Sequence, residues 1–140
     1  MTPGRELDIL VAEKVMGWKR VNYEQLFPSQ AGRKELSMYW YDSNDKETRL
    51  AEDSDDYYQP EEAWSPSIDI SAAWEVVKKM QEDGFDLDLH YEPEYTIVCF
   101  EKIVDGLTVA ESGEVWSNTP LHAICLAALK AVGVESKKNE

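Results

Sequence analysis

Along this chain the apolar positions change period, and each change marks an element. Leu7, Leu10, Val11 and Val15 recur at helical spacing behind Pro3, and Gly17 follows as a stop. That spacing predicts a helix over residues 4–16 with Pro3 in its first turn, where a missing N–H costs nothing. Ile70, Ala73, Trp74, Val77 and Met80 form a second apolar stripe behind the N-cap candidate Asp69. Lys78 and Lys79 suit the negative end of that helix, and Gly84 closes it. The prediction is a helix from Asp69 to Asp83 with Trp74 facing a sheet. Phe85, Leu87, Leu89 and Tyr91 then alternate with Asp86, Asp88 and His90, the period of a half-buried strand. After a turn at Glu92-Pro93-Glu94, Tyr95 to Lys102 is apolar on both faces, which suits a central strand. Asp105-Gly106 is a tight-turn signal, and Leu107 opens a third alternating strand that reaches Trp116. Thr119-Pro120 caps a last helix, apolar almost all round from Leu121 to Val132, with Leu129 toward the sheet. Gly133 ends it.

Between the first two helices the pattern is irregular. Leu36 to Tyr41 is rich in β-formers and Asp42-Ser43-Asn44-Asp45 has turn chemistry, so Lys34 to Ala51 reads as a hairpin with Thr48 to Leu50 returning. Asp42 to Glu62 holds nine acids against Lys46 and Arg49, and with Tyr57-Tyr58-Gln59-Pro60 it reads as a solvated loop. The fold class is therefore α+β: an antiparallel sheet, made of a three-strand meander plus the hairpin, layered with three helices. Residues 1–133 read as a single domain with an irregular acidic insertion at about 42–66, and 134–140 as a polar tail.

Charge narrows the choice of partner. The chain carries 28 acidic and 14 basic side chains, a formal charge of −14. Such a surface repels nucleic-acid phosphates and anionic lipid, so a basic protein is the expected partner, with no direct nucleic-acid binding and no membrane. No signal peptide opens the chain and no apolar run approaches the ~20 residues of a membrane span, which makes the cytoplasm the expected location. Cys99 and Cys125 both sit in apolar patterns and read as buried thiols.

Few residues invite chemistry. His90, His122, Cys99 and Cys125 could be assembled into a zinc site, yet structural zinc motifs carry tightly spaced pairs and only a loose His-x₂-Cys occurs here. Asp86, Asp88 and His90 share one strand face, where an acid–base role competes with the charged alternation of any solvated strand. Asp42 to Glu47 resembles a calcium loop only faintly, because Glu47 stands where glycine is required. Phosphate cradles, nucleophile elbows and metalloprotease helices have no counterpart in the sequence. No cofactor, metal or catalytic residue is expected. Aromatic side chains cluster beside the acidic segment, where they serve either an interface or the core.

Three fragments, Pro3 to Trp18, Trp64 to Met80 and Asn118 to Gly133, resemble the phage ABA sandwich domain family. The runs Leu-Val-Ala-Glu-Lys-Val-Met-Gly-Trp, ending at Trp18, and Asp-Ile-Ser-Ala-Ala-Trp-Glu-Val-Val, starting at Asp69, carry most of the likeness. The resemblance implies a bacteriophage or prophage origin and helices layered around a sheet, and it supplies no catalytic residues.

Taken together, these readings point to a non-enzymatic phage accessory protein in the host cytoplasm. It would bind a basic host or phage protein, inhibiting a host defence or nucleic-acid-handling protein. A row of carboxylates can imitate duplex DNA, with its charge every ~1.7 Å. The surface expected to do so comprises Tyr39, Trp40, Tyr41, Asp42, Asp45, Glu47, Glu52, Asp53, Asp55, Asp56, Tyr57 and Tyr58. Spare aromatic surface there is compatible with a homodimer. The alternative is a binder that sequesters a signalling nucleotide, for which Arg5, Lys19, Arg20, Arg33 and Lys34 are the nearest cations.

Overall fold

A computed structural model describes residues 1–22, 38–42 and 57–134. The expected α+β class is what forms, with antiparallel sheets and, among the described residues, three α-helices. The chain divides into two compact units: Gly17–Trp64, and Met1–Met16 together with Ser65–Glu140. Where the sequence reading has one domain with an insertion at 42–66, residues 17–64 form a unit with a sheet of its own.

The smaller unit holds β1 (Lys19–Asn22), β2 (Met38–Asp42) and β3 (Tyr57–Pro60), in the order β1-β2-β3. Lys19 faces Tyr41 on one edge of β2, and Tyr41 faces Tyr58 on the other. Both edges of β2 are thus taken, and the strand returning to it is Tyr57–Pro60, which the sequence reading assigns to a loop. The expected return at Thr48–Leu50 lies outside the described residues. Trp18, Trp40, Tyr41 and Trp64 are all buried, and the Trp18 and Trp64 rings meet edge-on at 4.7 Å between centroids. Arg20 holds the buried Glu61 carboxylate through Nε and, at 3.1 Å, through Nη2.

In the larger unit, α1 (Arg5–Val11) widens into a π-helical turn at Ala12–Met16, so the helix spans the residues predicted but not with one geometry. Pro3 lies ahead of the cap rather than in the first turn. Helix α2 (Ile70–Glu82) is capped by Asp69, whose carboxylate accepts the Ser71 N–H. Helix α3 (Pro120–Ala131) is capped by Thr119, whose hydroxyl accepts the His122 N–H. Both end in the same motif: Gly84 and Gly133 take positive φ, and Phe85 N–H and Val134 N–H reach back to the Met80 and Leu129 carbonyls.

Four strands follow α2: β4 (Asp86–Glu92), β5 (Tyr95–Val104), β6 (Leu107–Glu111) and β7 (Val115–Ser117). β4 runs along one edge of β5, while β6 and β7 share the other. The predicted meander is present, with Asp105 and Gly106 both at positive φ in a two-residue turn. Its third strand, however, is broken at Ser112–Glu114. There the Ser112 hydroxyl takes the Phe100 N–H at 3.0 Å in place of a ladder carbonyl, and Gly113 adopts φ 69°. Glu101 faces Glu111 before the break and Ile97 faces Trp116 after it. In unbroken register Val115 would face Ile97, so the break slips the pairing by one residue and exchanges the faces of Val115 and Trp116.

Helix α3 lies across β5, β6 and β7, and α1 and α2 pack against α3. Thr96, Val98 and Phe100 are completely buried on the helix side of β5, with Val115 beside them. Ala123, Ala127, Ala128 and Ala131 are buried on α3, and their small size lets three neighbours approach one helix. Leu129 is buried as expected, but Trp74 is 54% exposed and Ile70 is 68% exposed. The stripe that α2 buries is Ala72, Ala73, Val76, Val77 and Met80, displaced around the helix from the predicted one. Leu89 and Tyr91 are also exposed, although they pair with the buried Val98 and Thr96.

One carboxylate is built into this interior. Asp8 is buried on α1 and accepts the Ser67 N–H at 2.9 Å, while the Ser67 hydroxyl accepts the Gly4 N–H. The exchange ties the start of α1 to the turn ahead of α2. Burial pushes the Asp8 carboxyl above the ordinary aspartate value, against a smaller downward pull from the Ser67 hydrogen bonds.

Candidate functional site

The other face of the four-stranded sheet carries no helix among the described residues. Pairing register lays its side chains out in rows. Glu92 pairs with Tyr95; His90, Ile97 and Trp116 form the next row; Asp88 pairs with Cys99; Asp86, Glu101 and Glu111 form a fourth. Glu114 enters from the break beside Cys99, and Asp88, His90, Tyr95, Ile97, Cys99 and Glu114 line one cavity of about 420 Å³. Its floor is apolar and half-buried, its margin is carboxylate, and Tyr95 stacks on Trp116 at 5.0 Å between ring centroids. Trp116 is 56% exposed. The one basic side chain in these rows is His90, whose Nε2 lies 2.7 Å from a Glu92 carboxylate oxygen.

The surface named from sequence fares differently. Trp40 and Tyr41 are 1% and 2% exposed and belong to the core of the smaller unit, so they present nothing to a partner. Tyr39 is half-buried against Tyr41. Asp42, Tyr57 and Tyr58 lie in β2 and β3, and their ladder positions are all that is described. Asp45, Glu47, Glu52, Asp53, Asp55 and Asp56 lie outside the described residues, as do Arg33 and Lys34.

A scan against family models matches the phage ABA sandwich domain over residues 9–129. The chain belongs to the phage ABA sandwich domain family. No curated protein and no solved structure matches it. In this phage ABA sandwich protein the matched span includes every strand of the larger unit, all of α2, most of α3 and the end of α1. No described helix is long and apolar enough to cross a membrane.

The sheet also decides what the candidate chemical groups can do. His90 and Cys99 face the open side, whereas Cys125 is buried on α3 on the helix side, so the zinc set is split between faces. His122 engages both ring nitrogens, Nδ1 with the Ser117 hydroxyl and Nε2 with the Met1 carbonyl. Among the described residues no group of acids, histidines and cysteines could hold a metal ion. Asp88, His90 and Cys99 do share the cavity, which tempts a nucleophilic reading. Burial raises the Cys99 thiol above its ordinary value, and Glu101, Glu111 and Asp88 raise it further against a Ser112 hydrogen bond. An attacking thiolate needs the reverse environment. Sequence reasoning passed over Tyr95, Ile97, Cys99 and Trp116 as a site. The signal was there: a strand apolar on both faces, followed by a tryptophan that no helix pattern claims.

Proposed function

We propose that this phage ABA sandwich protein is a non-enzymatic accessory protein that binds a basic protein partner through the open face of its four-stranded sheet. The observation that carries the reading is the apolar strip of Tyr95, Ile97, Cys99 and Trp116, open to solvent and bordered by Asp86, Asp88, Glu101, Glu111 and Glu114. Apolar patches with polar rims mark interaction surfaces, and exposed aromatics make effective anchors. The formal charge of −14 steers cationic proteins toward the whole molecule. Inhibition of a host defence or nucleic-acid-handling protein fits that chemistry, since such proteins present basic surfaces to phosphate. A signalling nucleotide fits it less well: carboxylates border the cavity, and Arg20 is bonded to Glu61.

Capture from host lysate on immobilised protein tests the reading. The expected result is a partner held at low salt, released at high salt, and lost when Trp116→Lys places a cation on the strip. Capture that ignores both salt and this substitution removes the open face from the function.

A further inference from the structure

Resting on that docking surface, we infer that the cavity beside Tyr95 is a receptor for an arginine side chain of the partner. Three features converge on a planar cation. Tyr95 supplies an aromatic ring at the cavity wall, stacked on Trp116 and with the His90 ring 6.5 Å away between centroids, and guanidinium groups pack against such rings. Ile97 and Cys99 supply an apolar floor that accepts the methylene stem of the side chain. Asp88 and Glu114 supply carboxylates on opposite sides of β5, one from β4 and one from the break before β7. With strands ~4.8 Å apart, their backbones are separated by about 10 Å. A guanidinium between them can direct its forked donors to both carboxylates. Lysine offers one point charge and no plane, so it serves the two carboxylates and the ring together less well.

The one-residue slip at Ser112–Glu114 supports the same assignment. It sets Trp116 opposite Ile97 and delivers Glu114 to the cavity, whereas unbroken register would set Val115 opposite Ile97 and Gly113 opposite Cys99. Bulges are commonly found where a side chain must be re-aimed at a site.

Fluorescence anisotropy with labelled oligo-arginine, oligo-lysine and oligo-citrulline peptides of equal length tests the inference on the full chain. Oligo-arginine should bind tightest and oligo-citrulline weakest. The Asp88→Asn/Glu114→Gln protein should bind oligo-arginine at least about tenfold more weakly, the loss of one charge-assisted hydrogen bond. A charge-matched control, Glu82→Gln/Asp105→Asn, removes the same charge from exposed positions away from the cavity, and should change affinity by about twofold at most. Equal losses in the two variants, or equal binding of arginine and lysine peptides, overturn the arginine receptor. All four altered positions are exposed, and a melting curve for each variant verifies that it folds. Partner capture separates this inference from the broader reading. A partner retained by Asp88→Asn/Glu114→Gln but lost by Trp116→Lys refutes the receptor and keeps the docking face; a partner indifferent to both refutes the docking face itself.

Discussion

Strand β5 has two faces of one backbone, and they are put to opposite use. Thr96, Val98 and Phe100 are sealed under α3, while Tyr95, Ile97 and Cys99 alternate with them and look outward. Both sets are mostly apolar, so composition cannot separate them. What separates them is what lies above: alanine-rich α3 on one side, carboxylates and a stacked tryptophan on the other. The covered face holds the fold together, and the open face is available for recognition. Because alternate residues on a strand point apart, the two roles should come apart under mutation.

The largest effect belongs to the covered face. Phe100→Ala should destabilise the protein by about 3–5 kcal/mol, seen as a fall in the urea midpoint, because its cavity cannot be refilled from a packed interior. A mild loss there would mean the sheet is less well sealed than its burial implies. Trp116→Ala, on the open side, should cost about 1 kcal/mol through the lost stack on Tyr95 while abolishing partner capture. If stability and capture instead fall together in both variants, the two faces are not separable. Thr96→Val should raise stability by about 1 kcal/mol: its hydroxyl is buried without a hydrogen-bond partner among the described residues, and valine keeps the shape.

The smallest effect concerns the slope of stability with pH. Asp8 holds its proton more tightly folded than unfolded, so its contribution is greatest in acid. That contribution falls as pH rises from the ordinary aspartate value through the raised folded one. Asp8→Asn keeps an oxygen for the Ser67 N–H and should flatten that part of the profile, with stability at neutral pH unchanged or higher. A variant that unfolds more readily at neutral pH would show that the charge itself is needed.

How much of this was legible depended on how local the cause was. The caps at Asp69 and Thr119 and the turn at Asp105-Gly106 act within a few residues, and the sequence shows them directly. Trp74 misled because a large ring dominates an apolar stripe, while Ala72, which is buried, adds little to it. Strand β3 was hidden because its partner β2 lies far back in the chain, and its acidic surroundings and Pro60 resemble a loop. Trp40 and Tyr41 looked like contact residues, but beside Trp18 and Trp64 they make a core. The carboxyl of Asp8 fell inside a helix whose apolar spacing drew all the attention, and its partner Ser67 is remote in sequence. For the open face, the residues of Tyr95 to Lys102 were read correctly as central strand. Only three-dimensional placement shows that one side of that strand has no lid among the described residues.

The Ser112–Glu114 interruption couples chain length to chemistry. Removing one residue there, Gly113 for instance, would restore unbroken alternation from Glu111 and leave Trp116 opposite Ile97 and Val115 opposite Val98. Across the family, the length of this connection and the position of its bulky ring should change in concert, so that homologues one residue shorter carry the ring one place earlier.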